Sequence, residues 1–594
     1  MRAPLGFVGL RLAWGASAVS QWRSALRRFA LVLPLVGVST LALAQAIPPN
    51  VGAGRERERF IEPTPPRARP GGAAISLPST TAPPEAKNIH VVIRGFQVVG
   101  ATVYGDEQFS PLFQDLIGRS VPLQAVYDLA QRITAKYGAD GYVLSRAIVP
   151  VQELEPAGAT VRIEVIEGYV DKVVWPAKLS RYRDFFTDYA RKITAERPVN
   201  IRTLERYLLL ANDLPGLKFS TTLKASETAR GASTLIVEVT EKPVDAVARV
   251  DNRGSKARGP LQFLVSTTFN NLMRQHEQLT LAYAAALPFK ELQYVSAAYR
   301  YVLNSEGLTV FANGSYSWGF PGTKELEDLD FRTTSTYVEA GAQFPIVRAR
   351  ERNLTIVALA FEGENYNFFN LTPTEPQAVD RLRGIRARLE GDFADKSGAI
   401  NQFAITYSHG FVGFGSTDND NPLASRRGGR VDFSKVEGLV SRLQPLVARF
   451  SALVAAYGQY AMDPLLVPEQ CGYGGRVFGR AFDPSELLGD HCWMASAELR
   501  YDVALPNPAG PTVAKAPLTP APSVQIYGFT DKAKLYRLAV GSVGTAAATF
   551  TGASAGGGIR LGWQDRFNVD LSAAKAIQGP RNDWRYFFIA TARY

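Results

Sequence analysis

The sequence predicts a transmembrane β-barrel of about sixteen antiparallel strands, preceded by two small α+β units. Three observations carry that prediction. From residue 243 onward, apolar and polar residues alternate along one strand after another. Between residues 88 and 242, the order strand, helix, helix, strand, strand occurs twice. After residue 46 there is no apolar run of about eighteen residues, the length a membrane-spanning helix needs.

Residues 1–46 read as a secretory signal. Arg23, Arg27 and Arg28 precede the apolar run Phe29 to Leu43, and small residues place cleavage after Ala44 or Ala46. The run is short for a membrane anchor. An oxidising compartment outside the cytoplasm is therefore expected.

Residues 47–87 are rich in Pro and Gly. Within them Gly54 to Ile61 (G-R-E-R-E-R-F-I) alternates charge over two helical turns. An isolated helix that short is marginal in water and needs a partner. Pro63, Pro65, Pro66 and Pro70 then impose an extended linker. Composition alone fits plain disorder equally well.

Residues 88–168 form the first α+β unit. His90–Val99 reads as a strand, and Leu123, Val126, Leu129, Ile133 and Tyr137 fall at helical spacing until Gly138 and Gly141. Tyr142–Val149 and the alternation around Val161, Ile163 and Val165 read as strands. Residues 169–242 repeat the order, with strand Val170–Trp175, helices Tyr182–Ile193 and Ile201–Asn212, and strands Phe219–Lys224 and Thr234–Val239.

Residues 243–594 carry the barrel pattern. Val244, Ala246, Ala248 and Val250 alternate with Asp245, Val247, Arg249 and Asp251. The same holds along Leu261–Phe269, Leu308–Trp318 and Phe567–Ala573, and on the last strand, where Tyr586, Phe588, Ala590, Ala592 and Tyr594 share a face. A soluble sandwich shows the same alternation. The stretch is too long for one sandwich core, however, and its apolar faces are Ala, Leu, Val, Tyr and Phe, as lipid demands. Spanning strands of about 9–11 residues with no open edge fit the length.

Inside this pattern lies one long Gly-rich loop, Cys471 to Cys492, with Arg476 and Arg480 in its middle. Gly472, Gly474, Gly475 and Gly479 permit tight backbone paths. In an oxidising compartment the two cysteines should be bridged. A surface loop between two strands is the simpler alternative.

The net charge of +11 comes without a long basic cluster, so nucleic-acid binding is not expected. No P-loop of the form G-x-x-x-x-G-K-[ST] occurs, and His90, His276, His409 and His491 are scattered without metal-ligand spacing. His491, beside Asp490, reads as a local hydrogen-bond partner. The residues suggest a conduit rather than an enzyme, with no cofactor and no metal.

Several segments together resemble the outer-membrane transporters of two-partner secretion, the haemolysin and filamentous-haemagglutinin secretion/activation (TpsB) family. The most specific are K-Y-G-A-D-G-Y-V-L-S-R-A-I-V-P-V-Q-E-L (Lys136 to Leu154) and V-R-I-E-V-I-E-G-Y-V (Val161 to Val170), similar to that family's first POTRA domain. D-N-R-G-S-K-A-R-G (Asp251 to Gly259) is similar to the start of its barrel. Gly479-Arg480-Ala481-Phe482 resembles the Val-Arg-Gly-Phe/Tyr core of its sixth loop, with Gly for Val and Ala for Gly. Phe529-Thr530-Asp531-Lys532-Ala533 resembles its wall motif Phe-x-Asp-x-Gly, with Ala533 last.

The resemblance implies POTRA domains at 88–168 and 169–242, and a barrel at 243–594 whose loop 466–493 folds into the lumen. It implies that Gly474, Gly475, Gly479, Arg480, Ala481, Phe482 and Asp483 form a lumen motif facing Phe529, Asp531 and Ala533. Arg480 and Asp531 would be a buried ion pair. Residues 54–61, with Arg55, Arg57, Arg59 and Phe60, would be a plug helix. The protein would sit in the outer membrane of a Gram-negative bacterium, its POTRA domains in the periplasm, in contact with lipid, and act as a monomer. It would pass an unfolded, β-rich exoprotein (an adhesin, cytolysin or contact-dependent toxin) without ATP. POTRA edge strands would catch that client by strand addition, and grooves beside helices Leu123–Tyr137 and Ile201–Asn212 would hold its apolar side chains. A BamA-like insertase shares POTRA units and the long loop and is the alternative; a general porin would need no POTRA units.

Overall fold

The structure, a computed structural model, describes residues 54–60, 65–71, 82–227, 229–368, 375–505, 522–541, 545–564 and 566–594. The signal segment with both cleavage sites lies outside these residues, as do Ile61 and Pro63. Helix α1 covers Glu56–Phe60, shorter than the two turns expected. Gly54 sits at φ +96°, a turn conformation that keeps it out of the helix.

The first unit holds β1 (His90–Val99), α2 (Asp106–Phe113), β2 (Ser120–Pro122), α3 (Gln124–Ala139), β3 (Arg146–Ile148) and β4 (Ala159–Ile166). Its sheet has the order β2-β1-β4-β3, with β1 and β4 parallel. Val126, Leu129, Ala130, Ile133 and Tyr137 of α3 are buried, as the helical spacing requires. The expected strand Tyr142–Val149 shrinks to β3. Tyr142 instead donates its N–H back to the Tyr137 carbonyl and caps the helix end, which leaves only the last part free to pair with β4.

The second unit holds β5 (Tyr169–Val174), α4 (Phe186–Ala195), α5 (Ile201–Asn212), β6 (Leu217–Ala225) and β7 (Ala232–Glu241), in sheet order β5-β7-β6. Helix α4 starts later than Tyr182. The Asp184 carboxylate accepts the Thr187 N–H at 3.0 Å and marks the helix start. Just before it, Arg183 donates its N–H to the carbonyl of Arg274 in the barrel. Asn200 caps α5 by accepting the Arg202 N–H.

Among the described residues, sixteen antiparallel strands close the barrel. They begin with β8 (Val244–Asp251), β9 (Leu261–Asn270), β10 (Glu277–Leu287), β11 (Gln293–Val302), β12 (Thr309–Gly319) and β13 (Arg332–Arg348). Next come β14 (Arg352–Phe368), β15 (Ala378–Ala394), β16 (Ile400–Gly410), β17 (Ser434–Pro445) and β18 (Phe450–Ala461). A small hairpin, β19 (Cys471–Tyr473) with β20 (Leu487–Gly489), stands apart from the wall. The wall resumes with β21 (His491–Asp502), β22 (Ser523–Arg537), β23 (Ala548–Trp563), β24 (Phe567–Gln578) and β25 (Trp584–Arg593), which closes on β8. Beyond the last rung of that seam, the Asn252 amide donates to the Tyr586 carbonyl at 3.0 Å and accepts the Phe588 N–H at 2.8 Å. One side chain thus imitates a backbone rung.

Successive side chains of a strand face opposite ways, and the two faces divide as a membrane requires. On β22, Tyr527, Phe529, Asp531, Ala533 and Leu535 are buried inside, while Ile526 is exposed outside. Val250, Val265, Leu281, Val338, Ile356 and Leu499 are likewise exposed on the outer face. The inner face is not polar throughout, as the alternation alone suggested. Leu264, Ala284, Ala286, Leu292 and Tyr294 gather around Phe60, and Phe587 joins Phe529 and Tyr527 in a second apolar patch. Chain packs against these parts of the inner face, so the wall residues beneath it behave as a core.

The second unit is clamped to the barrel end it faces. Asp213, just past α5, receives Arg348 at 2.6 and 2.9 Å, a two-pronged carboxylate contact. Glu306, in the β11–β12 turn, accepts Arg206 and Tyr207 of α5.

Candidate functional site: the loop and helix inside the barrel

The chain between β18 and β21 folds inward. Its stem is the β19–β20 hairpin, and Cys471 is bridged to Cys492 with Cα atoms 6.5 Å apart. Cys492 lies within wall strand β21, so the bridge staples the stem to the wall. The tip turns sharply at Gly474 (φ +122°) and Gly479 (φ +74°). A Cβ at Gly474 would lie 1.9 Å from the Asp483 carbonyl oxygen, and one at Gly479 would lie 2.7 Å from the Tyr473 ring. Only glycine fits either place.

These turns carry Arg480 to the wall. Its Nε and Nη2 donate to the two Asp531 oxygens at 3.2 and 2.8 Å, and its backbone N–H donates to the same carboxylate at 2.9 Å. Its guanidinium lies 3.5 Å over the Phe529 ring. Ser496 and Ser554 hydroxyls complete the Asp531 shell at 2.8 and 3.1 Å. Asp531 is fully buried and Arg480 nearly so. The expected one-to-one pair is, however, too small a picture. Arg480 Nη1 also donates to Glu498, which in turn holds Arg500 and Arg560, each at 2.7 Å. A guanidinium with five N–H donors is not satisfied by one carboxylate, and the second comes from neighbouring strand β21.

The rest of the tip is anchored as firmly. Ala481 and Phe482 are buried, and Phe482 packs on Tyr473 with ring centroids 5.2 Å apart. Asp483 takes Arg581 at 3.0 Å and Arg585 at 2.7 Å. Arg253 donates to the Arg480 carbonyl at 2.8 Å while lying 3.7 Å over Phe587. Ala533 is buried on the same face of β22 as Phe529 and Asp531.

Helix α1 fills the space between the loop and the opposite wall. Glu56 meets Arg258 at 2.8 Å, both buried. Arg55 donates to the Gln470 carbonyl and, at 3.1 Å, to Ser485 Oγ, both in the loop. Arg57 lies 3.6 Å over Tyr337 and 3.4 Å from Glu339. Phe60 packs on Tyr294 at 4.9 Å. Arg59 lies on the same short helix, beside the loop residues Gly474, Arg476 and Val477. A cavity of about 330 Å³ remains between helix, loop and wall, lined by Arg57, Arg386, Lys435, Glu437 and Glu469 among others.

Sequence reading missed Glu498, Glu469, Arg386, Arg258 and Asp483's arginines. For Glu498, Arg386 and Arg585 the signal was present, each a charged residue on the inward parity of a wall strand; Glu469, Arg258 and Arg581 lie in connections, where alternation gives none. It also missed the spacing G-x-S-x-G at Gly552-Ala553-Ser554-Ala555-Gly556. That motif serves catalysis on a strand-to-helix turn. Here Ser554 stands in mid-strand β23, with its hydroxyl bound to Asp531. His491 does not pair with Asp490: its Nδ1 accepts the Ala461 N–H at 3.2 Å, and Asp490 binds Arg426. Among the described residues, no cluster of His, Cys, Asp or Glu could hold a metal ion.

In the first unit, Glu167 of the V-R-I-E-V-I-E-G-Y-V stretch accepts the Thr102 and Val103 N–H groups at 2.7 and 3.0 Å and the Tyr137 hydroxyl at 2.7 Å. Burial pushes its carboxyl up, but these donors outweigh burial and hold it below the ordinary value of 4.5.

Comparison with known proteins agrees with this architecture. Residues 231–532, half of the chain, match the family of haemolysin secretion/activation protein ShlB/FhaC/HecB, and residues 91–168 match the POTRA domain, ShlB-type. The heme/hemopexin transporter protein HuxB of Haemophilus influenzae (strain 86-028NP) is 26% identical over 30% of this chain; the match spans only 31% of HuxB's own length. The outer membrane transporter CdiB of Dickeya dadantii (strain 3937) is 22% identical over 66% of this chain and 68% of its own. The solved structure of CdiB from Escherichia coli superposes with a TM-score of 0.63 at 16% identity, covering 91% of this chain and 96% of that one, which is a likeness of fold. With a family profile matched across half its length, a POTRA domain at its N-terminal side and a closed sixteen-strand barrel, the chain belongs to the ShlB/FhaC/HecB haemolysin secretion/activation family and is an outer-membrane barrel with periplasmic POTRA architecture.

Proposed function

We propose that this chain exports an unfolded, β-rich exoprotein through its barrel, after catching it in the periplasm with its two POTRA units (88–168 and 169–242). One observation carries the reading: the lumen is filled by two pieces of chain, and of these α1 is seated by ion pairs, hydrogen bonds and one apolar contact at Phe60, with no covalent tie to the wall. Such contacts can be exchanged for water or for a passing chain without breaking the wall, whose strands are paired all round. The resting pore is shut and its stopper is removable. HuxB and CdiB carry the word transporter in their names. The secretion/activation profile, with a ShlB-type POTRA match at 91–168, favours export over insertion of other barrels.

The work falls to the residues described. Arg480 with Asp531 and Glu498 sets the loop's register. Glu56, Arg55 and Arg57 seat the plug. POTRA edge strands supply backbone groups to an extended client, and folding outside the cell draws it through. Nothing in this cycle needs a nucleotide.

The test co-expresses this chain with a large, signal-bearing, β-rich exoprotein of the two-partner type and measures that protein's export. With the chain present, that protein should reach the cell surface or medium. Without it, the protein should stay in the periplasm. Equal export in both strains would remove the proposal.

A further inference from the structure

Residues 65–71 lie across the barrel end that faces the second POTRA unit. The groups that seat their main chain are ones any extended polypeptide owns. The Arg69 N–H donates to the Arg350 carbonyl at 2.8 Å, and the Ala68 N–H donates to the Asp392 carboxylate. Asp392 is fixed by Asn353 at 2.9 Å. Arg350 sits in the turn between β13 and β14, and its own N–H donates to Glu205 of α5 at 3.1 Å. That one turn therefore meets the POTRA unit with its donor and the segment with its acceptor.

Size and charge are read at two further points. Ala68 is 0% exposed while Pro65, Arg67, Arg69 and Pro70 around it are exposed. Ala68 is fully enclosed, so a larger side chain in its place must displace what covers it. Arg67 lies 3.7 Å from Asp213. A cavity of about 540 Å³ adjoins the segment, between α5 and the barrel. A groove with main-chain partners, one closed small pocket and one acid recognises an extended chain more than a particular fold. Pro65, Pro66 and Pro70 keep the resident segment extended, which lowers the ordering cost of seating it.

We propose that this cleft is a docking site for an extended segment of the client, and that residues 65–71 occupy it at rest as an internal stand-in. The inference rests on the transport reading above and names where the client first meets the barrel. The ligand class is an unstructured segment with Gly or Ala in the closed pocket and a basic residue beside it, facing Asp213. Because the stand-in is tethered, its effective concentration is high, and a client succeeds only when the POTRA units already hold it. Its arrival displaces 65–71, and only a short span separates that segment from Phe60 of the plug. Docking is thereby tied to unplugging.

The experiment measures a fluorescently labelled peptide of residues 65–71 binding to the full-length chain in detergent, by anisotropy. In wild type the resident segment competes. A full-length Ala68→Trp chain cannot seat its own segment, and the peptide should bind it at least about tenfold more tightly than wild type. A second vacated form, with 65–71 replaced by a Gly/Ser run of equal length, should show the same gain. A peptide carrying Arg67→Ala, which removes the contact to Asp213 and leaves the Arg348 clamp intact, should bind either vacated chain about twofold to fivefold more weakly, and a peptide carrying Ala68→Trp should bind none of them. Equal binding to wild type and both vacated chains, or equal binding of the two peptides, overturns the inference. No client enters this measurement. A chain that binds the peptide but exports nothing keeps the cleft and loses the transport reading. A chain that exports but shows no gain loses the cleft alone.

Discussion

Arg386 of β15 and Glu469 of the loop stem stand 2.6 Å apart inside the barrel, and through them the wall, the loop and the plug become one stack. Arg386 lies 4.0 Å over Phe361, Phe361 stacks on Tyr337, and Arg57 of α1 lies over Tyr337 in turn. Glu469 also holds Lys435 at 2.9 Å. The plug and the loop stem are thus seated on the same few side chains.

That arrangement makes Glu469 a sensitive point. Glu469→Gln keeps the volume but removes the carboxylate that Arg386 and Lys435 share, leaving Lys435 with Glu437 at 3.6 Å, and breaking a buried ion pair costs roughly 3–5 kcal/mol. We expect normal insertion, because the wall strands are untouched, and a severalfold rise in resting conductance in a planar bilayer. Unchanged conductance would mean that the stem is held without this cluster.

At the tip, Arg480 faces two carboxylates, so the three single changes should not be equal. Arg480→Ala loses Asp531 and Glu498 together and should export little client while reaching the membrane in near-normal amounts. Asp531→Ala and Glu498→Gln each leave one partner and should retain intermediate export. Arg480→Lys should fall with the damaging group, since an ammonium cannot form the fork. Full export from Arg480→Ala would dismiss the tip as a functional anchor.

Glu56 and Arg258 offer a reversal test. Glu56→Arg or Arg258→Glu alone places like charges together in a buried site, and either should unseat α1 and raise conductance. The double swap restores opposite charges and should return conductance toward the wild-type level. A double swap as leaky as the singles would show that the ion pair does not seat the helix.

Glu167 predicts an acid-sensitive first POTRA unit. Its carboxyl is depressed in the folded chain, so its contribution is present in full above the unfolded value, near 4.5, and is lost as pH falls through the folded one. Resistance of this unit to proteolysis should drop below about pH 4.5. Glu167→Gln should be less resistant at neutral pH and flatter across that window. A variant with the wild-type profile would show that Glu167 is not the group responsible.

Much of the fold was legible because its signals are local. Period-two alternation along Val244–Asp251 or Phe567–Ala573 states which residues face lipid, and a membrane leaves a closed barrel as the outcome. The helical spacing of Leu123 to Tyr137 is equally local. Motifs named Arg480, Phe529 and Asp531, yet not Glu498, which no motif carries. What the sequence left undecided is which inward-facing residues meet across the lumen. Arg386 and Glu469 are 83 residues apart, and Arg55 and Gln470 are 415 apart. Alternation assigns a face, not a neighbour. Neither does it say that the lumen is filled, and that decides why Phe587 and Leu264 are buried where polar residues were expected. Strand register and the path of α1 and the loop bring those groups together, and these arise only when the whole wall closes around them.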